Sequence, residues 1–191
     1  MKNFLKVIAV CMMALGIFSF STLYTGSKTV KVSESTITWK GYKIGGEHSG
    51  SIKLTSGMLD FKRGKLTGGT FKINMTSIAV TDLKGSYKEK LEGHLKSDDF
   101  FGVSKYPEAT LVFTEVQSIK KETYHVLAKL TLKGITKELK FDMKVDATSA
   151  ETSLKIDRTK FGVRYGSASF FNNLKDKAIR DEFDLTVRLV F

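Results

Sequence analysis

The run TYHVLAKLTLKGITKELKFDMKVDA, from Thr123 to Ala147, decides the fold. Val126, Ala128, Leu130 and Leu132 recur at every second position, Lys133-Gly134 supplies a turn, and Leu139, Phe141, Met143 and Val145 resume the alternation. A period of two puts these residues on one face of a strand, with Lys129, Thr131, Lys140, Asp142 and Lys144 on the other. The short turn makes the two arms antiparallel neighbours. Each arm runs to about ten residues, roughly 33 Å at the usual rise, longer than most sandwich strands.

The same period extends outward in both directions. Ile37 and Trp39 alternate with Thr36, Thr38 and Lys40; Ile52 and Leu54 with Ser51 and Lys53; Phe71, Ile73 and Met75 with Lys72, Asn74 and Thr76. Leu111 and Phe113 follow, and Phe183, Leu185, Val187 and Leu189 close the chain against Asp184, Thr186 and Arg188. Arg63-Gly64-Lys65, Lys133-Gly134 and the small polar stretch Thr148–Ser153 read as turns. The expectation is an all-β chain of about eight antiparallel strands. Strand length favours an up-and-down barrel, which leaves no free sheet edges. Eight strands enclose an interior just wide enough for side chains or for one ligand. Alternation alone leaves filled and hollow equally open. Gly45-Gly46 and Gly68-Gly69 lack the strand-to-helix context of a phosphate loop and read as bulges or tight bends.

One helical insert is expected near residues 86–97. Ser86 and Glu89 have capping-box spacing, Tyr87, Leu91 and Leu95 form an apolar stripe, and Glu92 and Lys96 form an outward ion pair. Asp98-Asp99-Phe100-Phe101 follows, so the insert could close a barrel mouth, either as a lid over a ligand or as a plug completing the core. Leu91, His94, Leu95, Phe100 and Phe101 are therefore candidate contact residues.

Of 191 residues, 41% are hydrophobic and only one is proline, which fits a globular domain and excludes collagen-like or disordered classes. Lys2 and Lys6 precede an apolar run, Val7 to Phe20, that ends in Ser19-Phe20-Ser21. This is the layout of a signal peptide over residues 1–21, leaving a single domain from 22 to 191 in the periplasm or outside the cell. The run is shorter than the ~20 residues of a membrane span. Cys11, the only cysteine, would leave with it, and with it any disulfide. Removing these residues leaves 29 basic against 20 acidic side chains, a formal +9. Such an excess suits anionic envelope surfaces, or is the solvated outer face of the strands. Export removes nucleic acid as a partner.

Catalytic and metal chemistry find little support. His48, His94 and His125 show no ligand-pair spacing, no nucleophile elbow is present, and the one thiol would leave with the signal peptide. His94 could meet His48 or a carboxylate across the mouth, whereas His125 faces outward. Asp98-Asp99 reads as a turn device after the helix. Arg158, Lys160 and Arg164 cluster beside Phe161 and Tyr165 and could receive a phosphate; alternatively Arg158 pairs with Asp157 or a remote acid. Phe170-Phe171 would stand at a pocket wall or in the core.

Several motifs, in order and spacing, resemble the YceI-like family: Trp39-Lys40-Gly41, Gly46-Glu47-His48-Ser49-Gly50, Gly68-Gly69-Thr70-Phe71, His94 through Phe101, Tyr106-Pro107, Leu130-Thr131-Leu132-Lys133-Gly134, Asp157 through Gly162 and Asp181-Glu182-Phe183. The resemblance spans essentially Val30 to Phe191. It implies a lipocalin-like barrel in the periplasm that binds a long polyisoprenoid, an isoprenoid quinone or a polyprenyl phosphate, in its lumen, without cofactor, metal or catalysis. The expected contacts are Trp39, Phe71, Ile73, Met75, Leu111, Phe113, Phe141 and Met143 on the strands. Leu91, His94, Leu95, Phe100 and Phe101 join them from the insert, and Arg158, Tyr165, Phe170 and Phe171 from the last connection. Membrane-surface contact and a homodimer are both compatible with this reading. The competing functions are an envelope module that binds anionic polymer or a partner protein through its basic face, and a His-dependent enzyme on an envelope lipid.

Overall fold

The computed structural model describes residues 24–191, so the expected signal peptide and Cys11 lie outside the described residues. Among the described residues the alternation becomes nine antiparallel strands: β1 Gly26–Thr29, β2 Thr36–Lys43, β3 Gly46–Lys62, β4 Lys65–Val80, β5 Glu108–Lys120, β6 Thr123–Leu132, β7 Ile135–Val145, β8 Ser149–Asp157 and β9 Glu182–Val190. Each of β2 to β9 pairs with its neighbours in sequence, and β9 returns to β2 with Ile37 opposite Val187 and Trp39 opposite Leu185. Eight strands thus close a barrel of the lipocalin type. The short β1 continues the edge of β2 along the far half of β3, from Gly26 opposite Phe61 to Thr29 opposite Met58.

β3 and β4, at 17 and 16 residues, are the longest strands. They bend around the barrel at register shifts between Ser51 and Lys53, Leu54 and Ser56, and Asp60 and Phe61. In β4 the inward phase moves from Met75 to Ile78 and Val80, where Asn74 folds its side chain back onto the Thr76 amide (3.0 Å). Gly68-Gly69 lies beside the last shift, as expected of a bulge. Gly69 has a further role, because a Cβ there would approach the Phe113 ring to 2.8 Å. Gly50 likewise gives the Trp39 indole a flat seat, a Cβ there falling 2.4 Å from the ring.

Three sequence expectations are corrected. Thr148–Ser153 is not a turn: β8 starts at Ser149, and Ala150, Thr152, Leu154 and Ile156 point inward. Its small and hydroxylated inward positions hid the alternation. The helix, α1, runs Gly85–Lys96 with Lys84 at its N-cap and no side-chain cap bond, so Ser86 lies inside the first turn and the capping box is not formed. Residues four apart drift by about 40° around a helix; Leu95 is buried, Leu91 half-buried and Tyr87 73% exposed. Glu92 does not pair with Lys96. It accepts a hydrogen bond from the Val80 amide (2.8 Å) and faces Lys88 at 3.8 Å, tying α1 to the end of β4.

Two apolar clusters fill the barrel ends. Phe71, Phe113 and Phe141 stack at 5.5 and 5.9 Å between centroids in one, with Leu59, Tyr124, Val126 and Leu189. Lys28 seals that end, its Nζ 4.9 Å from the Phe191 ring centroid and 5.3 Å from that of Phe61. The other cluster joins Met75, Val80, Leu130 and Leu132 to Leu95, Phe100, Phe161 and Val163.

Candidate functional site

Between these clusters the barrel is hollow. About 180 Å³ of the lumen could hold the centres of water molecules, an order of magnitude above the ~10–15 Å³ that one water needs. The wall is almost wholly apolar. Ile37, Trp39 and Gly41 from β2, Ile52 and Leu54 from β3, and Phe71, Ile73, Met75 and Ile78 from β4 form one half. Leu139, Phe141 and Met143 from β7, Leu154 and Ile156 from β8, and Phe183 to Leu189 from β9 supply much of the other. Two features leave room. β7 and β8 share two registered pairs, Lys144 with Glu151 and Val145 with Ala150, and diverge above them. Inward positions also carry small residues: Ala109, Thr152 and Gly41, whose virtual Cβ meets nothing within 4 Å.

The turn after α1 forms the lid. Leu95, Phe100 and Phe101 face the lumen, Phe100 against Phe101 at 5.0 Å and Phe101 against Phe183 at 6.4 Å. Lys133, in the β6–β7 turn, pins this segment by donating to the carbonyls of Asp98 (2.8 Å) and Phe100 (2.7 Å). Asp98 also takes Lys105 at 2.7 Å.

Arg158 borders the lumen but is only 2% exposed. It donates to the carbonyls of Val163 (2.9 Å), Ile179 (3.0 Å) and Arg180 (3.1 Å), lies 3.7 Å from Asp181, and stacks over Phe100 at 5.5 Å. Burial pulls its guanidinium down from the usual range, while Asp181 and Asp157 oppose that. Of the two readings open in the sequence, pairing with a remote acid is the one realised: Arg158 stitches the last connection to the barrel and is not free for a phosphate. Burial pushes the Asp181 carboxyl up, but the Ser167 and Ser169 hydroxyls and Arg158 outweigh it and hold it below the ordinary carboxylate value. At the rim, Asp184 accepts from Lys155 (2.7 Å) and Tyr42 (2.6 Å), which together lower its carboxyl, and the Arg180 guanidinium lies 5.2 Å from the Tyr42 ring centroid.

The profile of the YceI-like domain matches residues 29–191. The chain belongs to the YceI-like family. A UPF0312 protein of Pectobacterium carotovorum is 38% identical over 74 residues, covering 39% of this chain and 37% of that protein. Matches of this kind span less than half the length of the curated relatives. Among solved structures, Burkholderia cenocepacia BcnA superposes with a TM-score of 0.69 at 20% identity, covering 85% of this chain and 99% of that one. A polyisoprenoid binding domain from Saccharophagus degradans, implicated in plant cell wall breakdown, gives 0.60 at 15% identity over 87% and 97% of the two chains. At these identities the likeness is one of fold.

In this YceI-like barrel, Trp39, Phe71, Ile73, Met75, Leu95, Phe100, Phe101, Leu111, Phe141, Met143 and Arg158 border the lumen. Six residues expected there do not. Phe113 is spent inside the aromatic stack of the closed end. Leu91 packs, half-buried, against the apolar cluster at the lid end and does not reach the lumen. His94 meets neither His48 nor a carboxylate; its ring lies between Phe100 (5.5 Å) and Tyr165 (4.3 Å). Tyr165, Phe170 and Phe171 stand outside, 48%, 46% and 50% exposed, because the connection carrying them lies over the barrel end and does not dip into it. His48 and His125 bond Asp82 and Asp142, each at 2.8 Å, away from the lumen.

The lumen residues that sequence reasoning passed over include two kinds. Ile37, Ile52, Leu54, Leu139, Phe183 and Leu185 were legible as inward-facing and only unselected. Gly41, Ile179 and Arg180 carried no apolar alternation, whereas Leu154 and Ile156 follow Thr152 at period two but stand beside small or hydroxylated inward positions. Chemically, a wall of this kind offers apolar contact and almost no hydrogen bonding, so it suits a flexible hydrocarbon and no polar metabolite.

Proposed function

We propose that this YceI-like protein is an exported, non-enzymatic carrier that holds the tail of a long polyisoprenoid, of the isoprenoid-quinone or polyprenyl-phosphate type, in its lumen. The observation that carries the reading is the hollow, apolar, lidded barrel. Burying hydrocarbon releases about 25 cal/mol per Å², enough to hold a tail without polar contacts, and Met75 and Met143 adapt to a flexible occupant. The Saccharophagus degradans domain, whose name records polyisoprenoid binding, shares the fold and supports the same class of ligand here. Among the described residues no histidine lines the lumen, which favours binding over acid–base catalysis. Export rests on Lys2, Lys6 and the apolar run that follows them.

Native mass spectrometry of protein purified from an envelope-containing host tests this directly. The expected result is an added lipid mass. After delipidation, a long-chain isoprenoid at a hundredfold its Kd should add about 2.7 kcal/mol, raising Tm by roughly 5–10 °C. A protein that arrives without lipid and gains no stability from any long isoprenoid overturns the proposal.

A further inference from the structure

The lid end of the barrel carries a surface that the lumen does not explain. The last connection, Arg164–Arg180, and the tip of the β2–β3 hairpin lie side by side there: the Ile44 amide donates to the Ala178 carbonyl (3.1 Å), Lys43 bridges to Ile179, and the Ile179 amide donates to the Gly166 carbonyl (2.8 Å). Four large apolar side chains project from it, Ile44, Tyr165, Phe170 and Phe171, each 46 to 58% exposed. A soluble domain gains nothing from leaving two adjacent phenylalanines in water. The same connection carries Arg164, Lys175, Lys177 and Arg180, with Asp176 the one acid of the segment. Among the described residues none of these four cations is in an ion pair. The Arg164 guanidinium lies on the Phe170 ring at 4.6 Å, a pairing that keeps charge and aromatic together at one depth. Arg180 and Ile179 belong both to this surface and to the lumen wall, so the patch is continuous with the cavity rim.

We propose that this end of the molecule is a docking face for an anionic lipid bilayer. Phe170, Phe171, Ile44 and Tyr165 enter the interfacial layer, where aromatic side chains are favoured, and Arg164, Lys175, Lys177 and Arg180 meet lipid phosphates. The rim is thereby presented to the membrane, and a tail can pass between bilayer and lumen without crossing water. The purpose of the face rests on the carrier reading; its existence does not.

Vesicle co-flotation with the full chain tests it. Binding is expected to vesicles of phosphatidylcholine mixed with phosphatidylglycerol, weakly or not at all to phosphatidylcholine alone, and to fall as salt rises. R164Q/K177Q should weaken it roughly thirtyfold, at roughly fivefold per basic residue near an anionic surface. F170S/F171S should weaken it at least tenfold, yet still carry its lipid mass in native spectra, since neither phenylalanine lines the lumen. F171W, compared with its parent, should add fluorescence that brominated lipids quench. No binding to anionic vesicles, binding indifferent to both double variants, or an F171W no more quenched than its parent overturns the docking face. So does a dimer in sedimentation that F170S/F171S dissociates without any vesicle binding. Loss of the lipid mass in the parent protein overturns the carrier reading and leaves the docking face to the flotation result.

Discussion

Replacing Gly41 by phenylalanine separates the lumen from the wall that surrounds it. Gly41 faces the cavity between Trp39 and the rim, its backbone is ordinary strand, and a Cβ there has no neighbour within 4 Å. The benzyl group therefore enters empty space. An isoprene unit carries five carbons, and at about 0.8 kcal/mol per buried methylene-sized group its displacement costs about 3–4 kcal/mol of binding. Affinity for a long isoprenoid should fall between a hundredfold and a thousandfold. Stability should move the other way. Removing a strand glycine returns about 0.5–1 kcal/mol, and a newly buried aromatic adds about 1.5–3 kcal/mol, less any crowding against the opposite wall. The delipidated variant should melt at least 2 °C above its parent, read by differential scanning fluorimetry alongside isoprenoid titration. Unchanged affinity with raised stability would show that the tail sits elsewhere. A loss of more than about 2 kcal/mol would show that the space beside Gly41 is not open.

Arg158→Met keeps most of the side chain's bulk and removes three bonds to backbone carbonyls and the partner of Asp181. Breaking a buried ionic site by deleting one member costs about 3–5 kcal/mol, expected as a urea midpoint shifted down at constant slope; a change under about 1 kcal/mol refutes the stitching role. Acid provides the matching test. The Asp181 carboxyl titrates lower in the folded chain than in the unfolded one, so its contribution is present above the unfolded value near pH 4 and is lost as pH falls through the lower folded value. Asp181→Asn should therefore flatten the acid limb of a stability-against-pH curve, and an unaltered limb contradicts the assignment.

The strands were readable because one face of each is wet. Val126 to Leu132 and Leu139 to Val145 reveal themselves by period alone, and once eight such faces close on one another the wall of the lumen is largely specified. β8 escaped because Ala150 and Thr152 are small or hydroxylated at inward positions, so its wet and dry faces look alike for its first four residues. The helix itself was legible within a residue of its observed bounds; the partner of Glu92 was not, because Glu92 is held by the Val80 amide, a tertiary bond that no local pattern announces. The same limit applies to Phe113, Phe170 and Phe171. Periodicity says that a phenylalanine faces inward, but not whether its ring meets another ring or a void, and residues 170 and 171 belong to a connection with no period to read.

That a void exists at all is the least local property of the molecule, and it has an energetic consequence. Engineered cavities cost about 24 cal/mol per Å³; on that scale the lumen's 180 Å³ represents roughly 4 kcal/mol withheld from the empty protein. Collapse would recover it, but the ring of strands is hydrogen-bonded all the way round, from β2 through β9 and back, and cannot shrink without breaking register in several strands at once. The divergence of β7 from β8 and the missing side chain at Gly41 keep the volume open, while the aromatic stack fills one end and the Lys133-pinned lid narrows the other. An apolar chain of the right girth restores the lost contacts without moving the frame, so the destabilisation carried by the empty barrel becomes part of the affinity of the filled one.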